Sequence, residues 1–367
     1  MPLPSRPCAG GRGGIMSGVY AVDAPAHRGH DPAVEVAAGA PMRYLESPRR
    51  AEAIRAALGA EPSVTLRPPD EHGLEPVLAV HDPDLVRFLE GAWAAWASAH
   101  PRSGQAIPDT FPNPRVRAGM AEQRPPAGID GALGYWCFDT ATPVVAGTWP
   151  AARAAVDVAL TAVDLVLAGA PAAYGLCRPP GHHAPRAAFG GYCYLNNAAV
   201  AAEQVCRRTG GRVSVLDLDY HHGNGTQQVF YERADVQYVS LHGDPDRAYP
   251  YFAGYADETG TGAGRGTTLN LPLPPGLDDA GYLTALARAL AGVDSFDPGL
   301  VVVSFGTDTA AGDPLGDFRL SQDGYARAGA GVVALRRPVV VLQEGGYAVD
   351  RIGADVTGFL RALRGVP

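Results

Sequence analysis

Short apolar runs rich in β-branched residues alternate along this chain with longer segments in which apolar residues recur every three or four positions. Residues 17–22, 173–177, 213–218, 236–241, 300–305 and 339–342 read as strands. Residues 50–59, 83–97, 151–169, 197–208, 279–292, 322–335 and 350–364 carry the helical period. Strands apolar on both faces and separated by helices predict an α/β protein with a parallel sheet covered on each side.

Two stretches break this rhythm. Residues 27–47, HRGHDPAVEVAAGAPMRYLES, read as a long loop of polar and small residues holding Glu35, and loops of that length tend to be functional. Residues 99–129 are rich in proline without an apolar period. They read as an insertion rather than a linker, because the same α/β alternation continues after them. A single domain over 16–367 is expected, with 1–15, rich in glycine and proline, as a disordered tail and Met16 as a candidate start.

Charge narrows the partners. The chain has 367 residues and sets 30 basic against 38 acidic side chains, a net −8, which argues against a nucleic-acid partner and favours cationic ligands. Cys8, Cys137, Cys177, Cys193 and Cys206 lack the spacing of a thiolate zinc site and form no disulfide framework. No apolar run reaches membrane-spanning length and the first residues lack the apolar centre of a signal peptide, so a soluble cytoplasmic protein without a membrane partner is expected.

Candidate chemistry follows the strands. In VSVLDLDYHHGNGTQ, residues 213–227, strand alternation puts Asp217, Asp219 and His221 on one face at the C-terminal end, where parallel sheets open a crevice. A lone Asp can cap a helix and a lone His can sit hydrogen-bonded in a core; three such groups on one face point to a metal. After the strand at 300–305, GTDTAAGDP offers Asp308 as a third ligand, while Asp313, before Pro314, reads as a turn or cap residue. Asp219, His221 and Asp308 supply one nitrogen and two carboxylates, leaving positions open for water and substrate, as in a catalytic Zn²⁺ or Fe²⁺ site. After 173–177, RPPGHHA holds His182 and His183 on a proline-glycine turn, a pair suited to proton transfer near neutrality. Tyr347, on the double-glycine turn of QEGGY, can donate its hydroxyl to an oxyanion. GTGAGRG, at 260–266, is not flanked by a strand before and a helix after, so it reads as a turn-rich loop rather than a phosphate cradle.

In this order, RPPGHHA, GGYCYLNNAAVAA, VLDLDYHHGNGTQ, SLHGDP, GTDTAAGDP and EGGYAVDRIG resemble the histone deacetylase superfamily from about Val19 onward. Within it the chain is most similar to the bacterial acetylpolyamine amidohydrolases, through HGLEPVLAVHD, the proline-rich insertion, FYERADV and GTGAGRGTT. The resemblance implies the arginase/deacetylase fold, a three-layer α/β/α arrangement around a mainly parallel sheet. It implies one zinc, or Fe²⁺, on Asp219, His221 and Asp308, with His182 and His183 moving protons and Tyr347 polarising the carbonyl. Asp217 would orient His182 and, with Ser240 and backbone carbonyls, hold a structural K⁺. Asn224 would back His183 where many relatives have Asp, leaving that histidine less basic. Tyr192 and Tyr249 would wall the channel and Arg50 line an acetate pocket.

The substrate implied is a small acetylated amine, cleaved to acetate and free amine, its distal ammonium met by Glu35 and by Asp130, an Asp where relatives have Glu. The insertion would pair two subunits and narrow the channel. Three rival readings differ. Two-metal ureohydrolase chemistry wants carboxylates two residues after His221 and Asp308, where this chain has Gly223 and Ala310. A protein acetyl-lysine deacetylase needs a wider mouth, though Leu315 lacks the glutamate that some polyamine-selective eukaryotic relatives use. A non-catalytic acetyl-amine binder would have no need of a complete catalytic set.

Overall fold

The structure is a computed structural model describing residues 18–116, 118–120 and 124–365; the expected tail at 1–15 and Met16 lie outside the described residues. Its strands are β1 (Val19–Val22), β2 (Val34–Ala37), β3 (Ala40–Arg43), β4 (Val64–Arg67), β5 (Ala172–Gly175), β6 (Val213–Asp217), β7 (Val236–Gly243), β8 (Thr268–Leu273), β9 (Leu300–Phe305) and β10 (Val339–Gln343). The helices are α1 (Pro48–Gly59), α2 (Glu75–Leu78), α3 (Pro83–Ala99), α4 (Ile129–Trp136), α5 (Thr148–Leu167), α6 (Asn197–Thr209), α7 (Asn224–Phe230), α8 (Asp279–Phe296), α9 (Gln322–Val333) and α10 (Val349–Ala362).

Eight strands form one sheet in the order β4-β1-β5-β10-β9-β6-β7-β8, and every pairing within it is parallel. Alternate residues of one strand enter different cores. Leu300 and Val302 of β9 belong to one core, shared with residues of α3, α5 and α6, whereas Val301, Val303 and Phe305 belong to the other, shared with residues of α1, α8, α9 and α10. Burying each such side chain contributes about 1.5–3 kcal/mol, so helices on both faces clamp the sheet. The result is the expected three-layer α/β/α arrangement. Among the described residues no helix is long and apolar enough to cross a membrane.

Seven elements depart from the sequence reading, the short helices α2 and α7 among them. The stretch 27–47 is not a bare loop: β2 and β3 pair antiparallel about Ala38 and Gly39, whose φ values are 50° and 75°. A two-residue hairpin turn needs positive φ at its centre, and alanine rarely signals it. β4 and β8 are the two edges of the sheet, and polar residues, with Pro272 in β8, blur their apolar pattern. α4 starts on the last residue of the expected insertion; the described residues between Ala99 and Ile129 hold no helix or strand beyond the bridge Ala106–Val144.

Candidate active site

The four contiguous strands β5, β10, β9 and β6 run parallel, so their C-terminal ends deliver four loops to one edge of the sheet. β6 ends at Asp217, which leaves Asp219 and His221 in the loop beyond it. Strand alternation therefore does not aim them; successive carboxylate-to-amide bonds do. Asp217 Oδ1 accepts the amide of Asp219 at 3.2 Å, Asp219 Oδ1 accepts that of His221 at 2.9 Å, and Asp308 Oδ1 accepts that of Tyr220 at 2.9 Å. Ligand atoms of Asp219, His221 and Asp308 lie within 4.8 Å of one another. His221 Nδ1 stands 3.0 Å from Asp308 Oδ2 and 3.3 Å from Asp219 Oδ1.

Both carboxylates are fully buried. Burial and the neighbouring Asp219 push the Asp308 carboxyl above its ordinary value; against the same burial, His182 and His221 hold Asp219 below its own. One imidazole and two buried carboxylates converging this closely fit a catalytic divalent ion. Glycines permit the crowding. A Cβ on Gly306 would meet Asp219 Oδ2 at 2.0 Å, and one on Gly345 would meet Asp308 Oδ2 at 2.3 Å. A Cβ at Gly223 would meet Asp217 Oδ2 at 2.3 Å, so no side chain for a second metal fits there. A second group, His182, Cys193 and Glu344, also lies within 4.8 Å. Burial raises its thiol well above the usual range and keeps it protonated, a poor ligand.

The histidine pair is held from behind. Glu344, on the loop after β10, accepts the amides of Gly181 at 2.7 Å and His182 at 3.2 Å and the hydroxyl of Ser304 at 3.1 Å. His182 Nδ1 lies 3.0 Å from Asp217 Oδ2, which also accepts the Tyr238 hydroxyl at 3.0 Å. Burial opposes the imidazolium, but Asp217 and Asp219 raise His182 to about 10. His183 Nδ1 is 2.7 Å from Asn224 Oδ1; an amide oxygen only accepts, so Nδ1 carries the hydrogen. Burial and the charges of His182 and His221 hold His183 well below its ordinary value. Two adjacent imidazoles, 4.0 Å apart by ring centroid, thus differ in basicity. Ser240 pairs with Asp217 in strand register, and its hydroxyl lies 2.8 Å from His242 Nδ1.

A cavity of about 310 Å³ opens above this cluster. Its walls include Glu35, His182, His183, Tyr192, Tyr249 and Tyr347, together with Asp139, Tyr251 and Leu315. Tyr192 has φ 65°, which turns its ring to within 5.7 Å of that of Tyr347. Glu35 is buried, and burial raises its carboxyl to about 7 despite a hydrogen bond with Tyr192. Arg50 lies beneath, its guanidinium 4.7 Å from the Tyr347 ring centre, paired with Glu46 and donating to the carbonyls of Glu344 and Gly346. Asp130 does not join this group: it sits exposed on the first turn of α4, 2.7 Å from His100 Nε2.

Sequence reasoning missed several groups. Asp313, read as a turn residue, binds the backbone of Tyr347, and Asp139 binds the Tyr249 hydroxyl. Glu344 and Arg178 stood inside quoted motifs without a role, and Arg178 bridges Glu46 to the carbonyls of His27 and His30. For Asp139 no sequence signal exists.

The family described as histone deacetylase domain matches residues 44–363. Acetylpolyamine amidohydrolase 2 of Pseudomonas aeruginosa is 42% identical over 351 residues, covering 96% of this chain and 99% of that protein. The acetylpolyamine amidohydrolase of Mycoplana ramosa is 42% identical over 339 residues, covering 92% of this chain and 98% of its own. The crystal structure of an acetylpolyamine aminohydrolase from Burkholderia pseudomallei superposes with a TM-score of 0.88 at 39% identity, over 95% of this chain and 99% of that one. The chain therefore belongs to the histone deacetylase domain family.

Proposed function

We propose that the chain is a metal-dependent amidohydrolase that removes the acetyl group from acetylated polyamines or similar small cationic amines, releasing acetate and the free amine. One observation carries the reading: the three-ligand cluster, the unequal histidine pair and Tyr347 meet at one narrow cavity that has Glu35 in its wall. The names of the near-full-length relatives support it.

Zn²⁺ suits the donor set of Asp219, His221 and Asp308, with Fe²⁺ as the alternative. Such an ion, when bound, supplies Lewis acidity to the acetyl carbonyl and to a water. The protein's own groups do the rest. His183, neutral with its Nδ1–H on Asn224, accepts the water's proton at Nε2. Burial raises the Tyr347 hydroxyl well above its ordinary value, so it stays protonated and donates to the oxyanion of the tetrahedral intermediate. The His182 imidazolium, stabilised by Asp217, offsets that developing charge, and the histidine pair returns a proton to the leaving amine. Arg50 offers its guanidinium to the acetate. Asp217 and Ser240 form the side-chain part of a structural K⁺ site.

Tyr192 and Tyr249 wall the channel and Glu35 receives the distal ammonium. The reading includes one folded unit over 16–367, a cytoplasmic location without nucleic-acid or membrane partners, and a homodimer through 99–129. Exposed Phe111, Val116 and Met120 on that insertion favour burial against a second copy. Asp130, beside the insertion, would then face the shared mouth. The test is acetate release from acetylpolyamines against acetyl-lysine peptides, with the solution mass measured in parallel. Peptide preference in a monomer overturns the reading.

A further inference from the structure

Asp139 lies in the loop after α4 and lines the cavity. Its Oδ2 accepts the amide of Gly191 at 2.6 Å and the hydroxyl of Tyr249 at 2.9 Å. Its Oδ1 accepts the amide of Ala141 at 3.0 Å and the hydroxyl of Thr142 at 2.8 Å. Thr142 Oγ1 in turn accepts the amide of Tyr192 at 2.9 Å. One carboxylate therefore fastens both aromatic walls of the channel: the Gly191–Tyr192 turn on one side and the Tyr249 ring on the other. The turn needs fastening, because φ is 58° at Gly191 and 65° at Tyr192, and a tyrosine is strained in the left-handed region.

These four donors are all neutral, so they steady the negative charge of Asp139 without cancelling it. Glu35 lines the same cavity, with Arg247 exposed at its rim. Repulsion from Asp139 adds to the burial that raises the Glu35 carboxyl. Two carboxylates in one small cavity gain from any cation that enters between them.

We propose that Asp139 is a specificity-determining residue: it holds the two aromatic walls in place and, with Glu35, selects an acetylated amine whose far end is cationic over a neutral amide of equal length. This rests on the deacetylase reading above and adds the residue that sets its charge preference.

The test uses the full chain with N-acetylputrescine and its uncharged counterpart N-pentylacetamide. Asp139→Asn and Asp139→Ala are each expected to lower the cationic-to-neutral ratio of kcat/KM by about tenfold, mainly through KM for the cationic substrate. A merely structural role would lower both substrates together and leave the ratio fixed, and an unchanged ratio overturns the proposal. Binding is read separately by calorimetry in a Tyr347→Phe background, where the same change in the ratio of Kd values is expected. If the native chain hydrolyses neither amide the deacetylase reading fails, while the Kd ratios still decide the role of Asp139.

Discussion

Asp313 accepts the backbone amide of Tyr347 at 2.6 Å and that of Ala348 at 2.9 Å, and its other oxygen accepts the amide of Leu315 at 2.9 Å. A single buried carboxylate ties the end of β9's loop to the turn that carries the tyrosine hydroxyl. Asp313→Ala leaves three amides unpaired and is expected to cost about 2–4 kcal/mol in denaturant unfolding. It should lower kcat more than it changes KM. An unaltered kcat in folded protein would show that the hydroxyl needs no such anchor.

Tyr347→Phe removes the hydroxyl and keeps the ring beside Tyr192 and Arg50. Turnover should fall by about 10²–10³-fold while calorimetric binding of the substrate persists. Turnover equal to that of the parent would remove Tyr347 from the mechanism.

Glu35 titrates near 7 because burial disfavours its carboxylate. Below that pH it is neutral; above it the negative charge would, on the proposed function, attract a substrate ammonium. KM for a cationic acetylated amine should therefore fall as pH rises through about 7, while KM for a neutral amide stays level. Glu35→Gln should flatten the profile. A steep profile retained in that variant would assign the titration to another group.

His81 is buried and neutral: Nδ1 lies 3.1 Å from the Pro185 carbonyl and Nε2 accepts the Asn196 amide at 2.8 Å. Burial lowers its pKa from 6.5 to about 4. Between those values the unfolded chain binds more protons, so stability is complete above about 6.5 and is lost as pH falls toward about 4. The contribution is about 1.4 kcal/mol per pH unit. Urea unfolding at several pH values should show the slope, and His81→Gln should reduce it.

The central strands were legible because they are apolar on both faces; β9 matches its expected bounds of 300–305. The edge strands β4 and β8 mix polar with apolar residues, and the β2–β3 hairpin hides behind Ala38. The ligand and histidine motifs were readable because each is contiguous in sequence. Asp313 does make the local turn bond expected of it, to the Leu315 amide, but its bonds to Tyr347 and Ala348, those of Asp139 to Gly191 and Tyr249, and those of Glu344 to Gly181 and His182 join loops that only folding brings near, and spacing holds no trace of these. The expected acidic mouth is split likewise: Glu35 enters the cavity because β2 buries it, whereas Asp130 points to His100 on an exposed helix start.

Gly306 and Gly345 press main chain against the carboxylates of Asp219 and Asp308, leaving less room than a methyl group requires. Those carboxylates have no space to swing back, and of the three candidate ligands His221 alone lines the cavity. On the proposed function, the corridor for substrate would then also be the corridor by which an ion arrives and departs. Loading must precede occupancy, and a tightly held ligand should act as a stopper: metal loss to a chelator slows in proportion to the fraction of channels filled. Stripping rates with and without a saturating amine would reveal this traffic order directly.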